Sequence, residues 1–88
     1  MDLRFKYRRR IDLIASILGS AARKEEALLT RIMYTSFLSY PQTKQLLQFM
    51  LEHGLIKHDG LNKVYNITLK GFQYLELYKQ IGDLVKIE

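Results

Sequence analysis

The sequence predicts a mainly α-helical protein that carries one small β-hairpin. Three observations support this fold class. Residues 30–56 have the pattern of a helix end, a tight turn, a second helix and a glycine stop before a strand. Two short β-prone segments follow, separated by turn residues, and residues 69–86 return to helical periodicity. A helix, a tight turn and a second helix form the outline of a helix-turn-helix.

The second helix of this pair is predicted over residues 40–53. Ser39 and Gln42 have the spacing of a capping box, in which each side chain bonds the backbone N–H of the other residue. Pro41, the only proline, falls in the first turn, where a missing N–H has no cost. Gly54 suits the left-handed position that ends a helix, and an apolar residue follows it, as this type of stop favours.

The two faces of this helix differ in character. Placed 100° apart, the residues of the predicted buried arc are Thr43, Leu46, Leu47, Met50 and Leu51. The outer arc holds Pro41, Lys44, Gln45, Gln48 and Glu52, with Tyr40, Gln42 and Phe49 at its shoulders. Glutamine amides can pair with adenine, lysine can reach guanine or phosphate, and a helix N-terminus favours phosphate. The outer face is therefore either a DNA-reading surface or the ordinary polar side of an amphipathic helix.

Composition restricts the possible function classes. The chain has 88 residues and a net charge of +5, which favours a polyanionic partner. Its size allows one domain, residues 1–88, whose small core would benefit from dimerisation. Cysteine is absent, which removes disulfides and thiolate chemistry. Because no apolar run reaches the ~18 residues of a membrane span and no signal peptide is evident, we expect a cytoplasmic location, on the nucleoid if the protein binds DNA.

The sequence contains no arrangement of residues that would indicate an enzyme active site. The carboxylates are scattered, and there is no glycine-rich phosphate loop and no nucleophile with a histidine partner. His53 and His58 lack further metal ligands at suitable spacing, so both are predicted to be surface residues. We therefore expect no catalysis, no metal, no cofactor and no small-molecule ligand.

The first ten residues form a basic lead. Apolar and basic residues alternate from Leu3 onward, which is typical of a short strand or an extended arm, and the lead closes with Arg8, Arg9 and Arg10. Such an arm can follow DNA phosphates, or it can be a solvated segment that aids solubility.

Two helices are predicted between the lead and the turn. The first, residues 8–21, has the apolar stripe Ile11, Leu13, Ile14, Ala15, Ile17 and Leu18. The second, residues 24–36, has the stripe Leu28, Leu29, Ile32 and Met33. Phe37 and Leu38 are predicted to bury the turn. Arg31 stays outside, where it either holds a phosphate, pairs with a glutamate or lies in water.

The hairpin is predicted from strands at residues 55–58 and 64–68 around the turn 59–63. Its core face is expected to contain Tyr65, Ile67 and Leu69. Lys57 and Lys63 flank the tip, as phosphate contacts or as plain surface residues.

The last helix is predicted over residues 69–86, with Thr68 as its N-cap. Phe72 and Leu75 would dock it on the domain. A second stripe has the 3-4 spacing of a coiled-coil seam and consists of Tyr74, Leu77, Tyr78, Ile81, Leu84 and Val85. This stripe is expected to form a homodimer, although one broad face packed on the first helix is the alternative.

Several short runs occur in a familiar order: TRIMY, LSY, GLI, YNIT and LKGFQYLELY. In this order they resemble the archaeal winged helix-turn-helix family, most closely its ten-kilodalton DNA-binding members with a C-terminal dimerisation helix. The resemblance covers about residues 10–85. It implies a helix-turn-helix at 24–54, a wing at 55–68 and a dimerisation helix at 69–86. It also implies binding of double-stranded DNA as a homodimer, in transcription regulation or chromatin packaging.

Three function classes follow. The first places helix 40–53 in the major groove, with the wing and the basic N-terminus on the DNA backbone. Its predicted DNA-binding residues are Arg8, Arg9, Arg10, Arg31, Tyr40, Gln42, Lys44, Gln45, Gln48, Lys57 and Lys63. The second is a protein-interaction module, favoured if the glutamine face is covered and the basic residues are dispersed. The third is RNA binding, favoured if Tyr7, Tyr40 and Tyr65 lie exposed together.

Overall fold

A computed structural model describes residues 9–23 and 27–84 of the chain. In chain order its elements are α1 (Arg10–Ala22), α2 (Leu29–Ser36), α3 (Tyr40–Glu52), β1 (Ile56–Asp59), β2 (Val64–Ile67) and α4 (Leu69–Leu84). This order confirms the predicted class, a mainly helical protein with one antiparallel hairpin. No helix within the described residues is long and apolar enough to cross a membrane.

Helix α1 lies at the centre of the core. It packs against α2, α4 and β2. The core is built from Ile14, Ile17, Leu18, Ala21, Ala27, Ile32, Leu46, Leu47, Met50, Leu55 and Ile56. Helix α1 begins at Arg10, later than predicted, because Arg9 is extended and its backbone N–H donates to the Asp12 carboxylate (3.1 Å). Ile11, predicted to be buried, is 48% exposed because this first turn lies at the edge of the core.

Helix α2 begins at Leu29, five residues later than predicted. The carbonyl oxygen of Ala27 accepts the backbone N–H of Tyr65 in β2 (3.0 Å), and Leu28 is extended. This contact with the hairpin holds Ala27 and Leu28 out of the helix, so Leu28 is the N-cap residue and not part of a helical stripe. Residues 24–26 of the predicted helix lie outside the described residues.

The turn between α2 and α3 exposes the aromatic residue that was expected to bury it. Phe37 has the left-handed conformation (φ 57°, ψ 42°) and is 87% exposed. Its backbone N–H donates to the carbonyl of Tyr34 (3.3 Å), and that of Leu38 donates to Met33 (3.1 Å), which closes the helix. This closure directs the Phe37 side chain outward, whereas Leu38 packs against the core as predicted.

Strands β1 and β2 pair in antiparallel register from Ile56 opposite Ile67 to Asp59 opposite Val64. Tyr65 and Ile67 pack against the core, as predicted. Leu69, expected on the same face, is 76% exposed because the strand alternation stops at Thr68 and a helix begins.

The start of α4 is fixed by a junction with the end of α3. The Thr68 hydroxyl oxygen accepts the Gly71 backbone N–H (3.0 Å), which confirms the predicted N-cap, and the hydroxyl donates to the Gly54 carbonyl (2.6 Å). The Lys70 ammonium donates to the His53 carbonyl (2.8 Å). Gly71 is buried at the point of closest approach.

Farther along, α4 is held against α1 by two tyrosines. The Tyr74 hydroxyl donates to the Ile11 carbonyl (3.0 Å), and the Tyr78 hydroxyl bonds the Asp12 carboxylate. Leu75 packs against the core as predicted. Phe72, the other predicted docking residue, is instead 50% exposed, since it is one residue past Gly71 and points about 100° away from the buried side.

Replacing Gly71 with alanine should destabilise the fold. A Cβ atom there would lie 2.7 Å from Ile67 Cγ1 and closer still to the Leu55 carbonyl oxygen. We expect a loss of about 1–3 kcal/mol in the free energy of unfolding, measured by urea denaturation at one protein concentration. The matched control is Gly82→Ala on the same helix, where no atom lies within 4 Å. It should gain about 0.5–1 kcal/mol from helix propensity. Equal effects at both positions would contradict the close approach at Gly71.

Replacing Phe37 with glycine should stabilise the protein. The left-handed backbone costs a residue with a Cβ atom roughly 1 kcal/mol, and the exposed ring contributes little packing. Urea denaturation of Phe37→Gly should therefore show a gain of up to about 1 kcal/mol. Tyr34→Gly, an exposed aromatic inside α2, is the control and should lose about 0.5–1 kcal/mol. A loss of stability in Phe37→Gly would show that the ring is buried in solution.

Candidate nucleic-acid interface

Helix α3 is fixed at its N-terminus by the predicted capping box. The Ser39 hydroxyl accepts the Gln42 backbone N–H (3.3 Å), and the Ser39 backbone N–H donates to Gln42 Oε1 (3.0 Å). The buried Thr43 hydroxyl also donates to the Ser39 carbonyl (2.8 Å). Pro41 lies in the first turn, as predicted. Together these contacts define where α3 starts and which way its first turn faces.

The C-terminus of α3 is equally well defined. The Leu55 backbone N–H donates to Met50 (2.9 Å), the Gly54 N–H donates to Leu51 (3.1 Å), and Gly54 has a φ of 71°. This pair of bonds is a Schellman motif, and the buried Leu55 is its apolar contact. The prediction of a glycine stop is confirmed.

The side chains of α3 divide between core and solvent as the sequence pattern predicted. Thr43, Leu46, Leu47 and Met50 are buried, and Leu51 packs against the core. The outer face is exposed and contains Tyr40, Pro41, Gln42, Lys44, Gln45, Gln48 and Glu52. The glutamine face is therefore not covered by any other part of the described chain.

Several outer side chains already have neighbours within α3. Gln42 uses its amide oxygen in the capping box, which leaves its NH₂ group as a donor. The Gln48 amide donates to the Glu52 carboxylate (3.2 Å). The Lys44 ammonium lies 5.9 Å from the centroid of the Tyr40 ring, at the outer limit of a cation–π contact. Lys44 and Gln45 lie between these groups on the exposed arc of α3.

A basic residue from the start of α1 lies against the other end of α3. The Arg10 guanidinium carbon is 4.5 Å from the centroid of the Phe49 ring, and the His53 ring lies 4.2 Å from the same ring. A guanidinium in a cation–π contact can still donate N–H groups to an acceptor such as phosphate. Arg9 is exposed beside it, and Arg8 lies outside the described residues. Sequence reasoning missed the stacking of Arg10 on Phe49, since no local signal joins positions so far apart.

The remaining predicted phosphate contacts are placed around α3. Arg31 is exposed on α2, and Lys57 is exposed on β1. Lys63 is exposed at the end of the hairpin turn, where it has the left-handed conformation (φ 57°). Lys57 and Lys63 thus present positive charge on the first strand and on the turn of the wing.

Of the aromatic residues predicted for RNA binding, the two that the structure describes are not both exposed. Tyr40 is 55% exposed, but Tyr65 is half-buried and stacks near His58, with 4.6 Å between the ring centroids. Burial, together with the neighbouring Tyr40, raises the pKa of the Tyr65 hydroxyl. Tyr7 lies outside the described residues. Sequence reasoning did not identify three other exposed aromatics: Tyr34 near the end of α2, Phe37 in the turn and Phe72 on α4.

The predicted dimerisation residues of α4 separate into two groups. Tyr74 and Tyr78 contact α1 of the same chain, and burial, together with the negative charge of Asp12, raises the pKa of Tyr74. Leu77, Ile81 and Leu84 are 59%, 57% and 84% exposed. Val85 lies outside the described residues.

Within the described part of the chain, the histidine and carboxylate side chains form no group that could hold a metal ion. Across residues 9–23 and 27–84, no three His, Cys, Asp or Glu side chains lie together as metal ligands would. His53 and His58 each contact an aromatic ring instead.

Comparison with known proteins agrees with this geometry. No curated protein matches the sequence. The sequence profile described as winged helix-turn-helix matches residues 7–86, nearly the whole chain. The match includes the capped helix α3, the turn before it and the hairpin after it. The chain therefore belongs to the winged helix-turn-helix family.

Proposed function

We propose that this protein binds double-stranded DNA as a homodimer and acts as a transcription regulator or a nucleoid-associated protein. The observation that carries the proposal is the outer face of α3. This helix is capped at both ends and exposes Lys44, Gln45 and Gln48. No acidic residue occurs in its first turn, so its N-terminal half carries no charge that would repel a phosphate.

In this proposal α3 enters the major groove with its N-terminal half nearest the bases. The Gln45 and Gln48 amides can bond adenine N6 and N7, and Lys44 can reach guanine or a phosphate. Each good bidentate pair discriminates against a wrong base by about 1–3 kcal/mol. Tyr40 and Gln42 lie at the first turn, where they can contact the sugar-phosphate backbone.

Basic residues outside α3 supply the contacts that do not depend on sequence. The Arg10 guanidinium lies over the Phe49 ring, so its positive charge is near the C-terminal end of α3. Arg31 lies on the preceding helix, α2. Lys57 and Lys63 extend the basic surface along the wing. Arg8 and Arg9 would continue it along the lead. Neutralising phosphates with these groups releases counterions, so binding should weaken steeply with salt.

Removing the polar groups of α3 should weaken DNA binding. We expect Lys44→Ala with Gln48→Ala to lower the affinity for duplex DNA by at least about tenfold, since one phosphate or base contact from each is lost. The measurement is fluorescence anisotropy of a labelled duplex at several salt concentrations. The wild type should give a linear log–log dependence on salt, whose slope counts its phosphate contacts.

The control for this experiment is Lys79→Ala with Gln80→Ala, which removes the same residue types from the exposed side of α4. It should leave the affinity unchanged. Absence of duplex binding by the wild type at low salt would overturn the proposed function, whereas equal loss in both double variants would overturn only the assignment of α3. A single-stranded RNA of equal length, titrated in parallel, tests the RNA alternative directly: tighter binding to it would favour that class.

The homodimer is proposed on the outward stripe of α4. Tyr74 and Tyr78 hold one side of this helix on α1, so Leu77, Ile81 and Leu84 face away from the chain's own core with coiled-coil spacing. A second copy related by a two-fold axis would cover this stripe, with the two tyrosines at its border. Val85, which the sequence also predicts in this seam, lies outside the described residues. Such a dimer presents two α3 helices to one duplex.

An aspartate in the middle of this stripe should separate the subunits. Ile81→Asp places a charge where two apolar surfaces would meet, so we expect a monomer by light scattering after size exclusion. Lys79→Asp places a carboxylate about 160° around the helix from Ile81, away from the stripe, and should remain dimeric. A wild type that is monomeric at high concentration, or an intact dimer in Ile81→Asp, would contradict this interface.

A further inference from the structure

The tip of the wing presents an apolar side chain on a rigid support. Leu61 is 94% exposed. One oxygen of the Asp59 carboxylate accepts the backbone N–H groups of Leu61 (3.0 Å) and Asn62 (3.3 Å). The other accepts the Asn62 side-chain amide (2.8 Å). These bonds hold the residues on both sides of the tip in one arrangement.

The charge of Asp59 is maintained by the same bonds. Hydrogen bonds from Asn62 and Leu61 lower the pKa of the Asp59 carboxyl, so it is ionised at neutral pH and accepts all three donors. The turn then ends at Lys63, whose left-handed backbone is a conformation that residues with a side chain rarely adopt. The tip is thus an ordered structure with Leu61 projecting from it.

The exposed leucine at the tip has basic residues on its own hairpin. Lys63 ends the turn and Lys57 lies within β1, opposite Asn66, and both are exposed. Lysine ammonium groups such as these bind DNA phosphates. Leucine has no hydrogen-bonding group, so it cannot read base edges, but an apolar side chain at such a place can enter the stack between two base pairs.

We propose that Leu61 is a wedge that enters the minor groove, partly unstacks one base step and bends the duplex. This inference rests on the proposed function, because it requires α3 to place the wing beside the neighbouring minor groove. Lys57 and Lys63 hold the phosphates on either side while the leucine separates the bases. Pyrimidine–purine steps unstack most readily, so the protein should prefer a TA or CA step beneath the tip.

The test measures bending and affinity separately. A duplex labelled at both ends for energy transfer, with a TA step placed at successive positions, is titrated with wild-type protein, Leu61→Ala and Leu61→Phe. The wild type should bring the ends together. Leu61→Ala should lose most of this bend and bind about tenfold more weakly, while Leu61→Phe should retain it, since aromatic wedges also unstack bases.

Two controls make the outcomes distinguishable. Leu69→Ala removes another exposed leucine (76% exposed), which lies at the start of α4 and away from the tip, and should change neither bend nor affinity. The Lys44→Ala with Gln48→Ala variant reports on α3. If the wild type does not bind the duplex, the proposed function and the wedge both fail. If the wild type binds a straight duplex, or if Leu61→Ala bends DNA as the wild type does, the wedge alone is overturned. If the wild-type protein binds anionic vesicles through Leu61 but does not bind duplex DNA, the tip would instead be assigned to contact with a membrane surface.

Discussion

The junction between the end of α3 and the start of α4 is the constraint on which the rest of the structure depends. The Thr68 hydroxyl is bonded to Gly71 on one side and to Gly54 on the other, and the Thr68 backbone N–H donates to the Leu55 carbonyl (3.2 Å). Gly71 has no side chain, which lets α4 approach the Leu55 carbonyl closely. The Gly54 stop of α3 and the Thr68 N-cap of α4 are therefore joined by hydrogen bonds, and the hairpin between them begins and ends at this junction.

This junction links the two surfaces on which the proposed function depends. The outer face of α3 and the outward stripe of α4 lie on helices whose ends are hydrogen-bonded to each other. In a two-fold dimer built on α4, the direction of each α3 would follow from that of α4. Helix-turn-helix dimers read half-sites about one helical turn of DNA apart, so a rigid link between the dimer helix and the reading helix favours a fixed half-site spacing.

The sequence determined the features that depend on neighbours a few residues apart. Ser39 and Gln42 fix the start of α3, Gly54 fixes its end, and Thr68 caps α4, all through bonds that span six residues or fewer. The hairpin follows from turn residues between two alternating strands. The division of α3 into buried and exposed faces needs only the helical period, because one side of any such helix must be covered. From these signals the fold class and the exposed face of the candidate interface could both be predicted.

Only the tertiary structure decided contacts between distant parts of the chain. Helix α2 starts late because Ala27 bonds to Tyr65, and Arg10 lies beside α3 because Phe49 receives it. The apolar stripe of α4 was predicted to pack either on a second copy of the chain or on α1. In the structure its two tyrosines bond to α1, whereas Leu77, Ile81 and Leu84 are exposed. The helical period of the sequence predicts which side chains share a face, but not which distant group packs against that face. That choice depends on how all the helices pack at once, which only the folded chain determines.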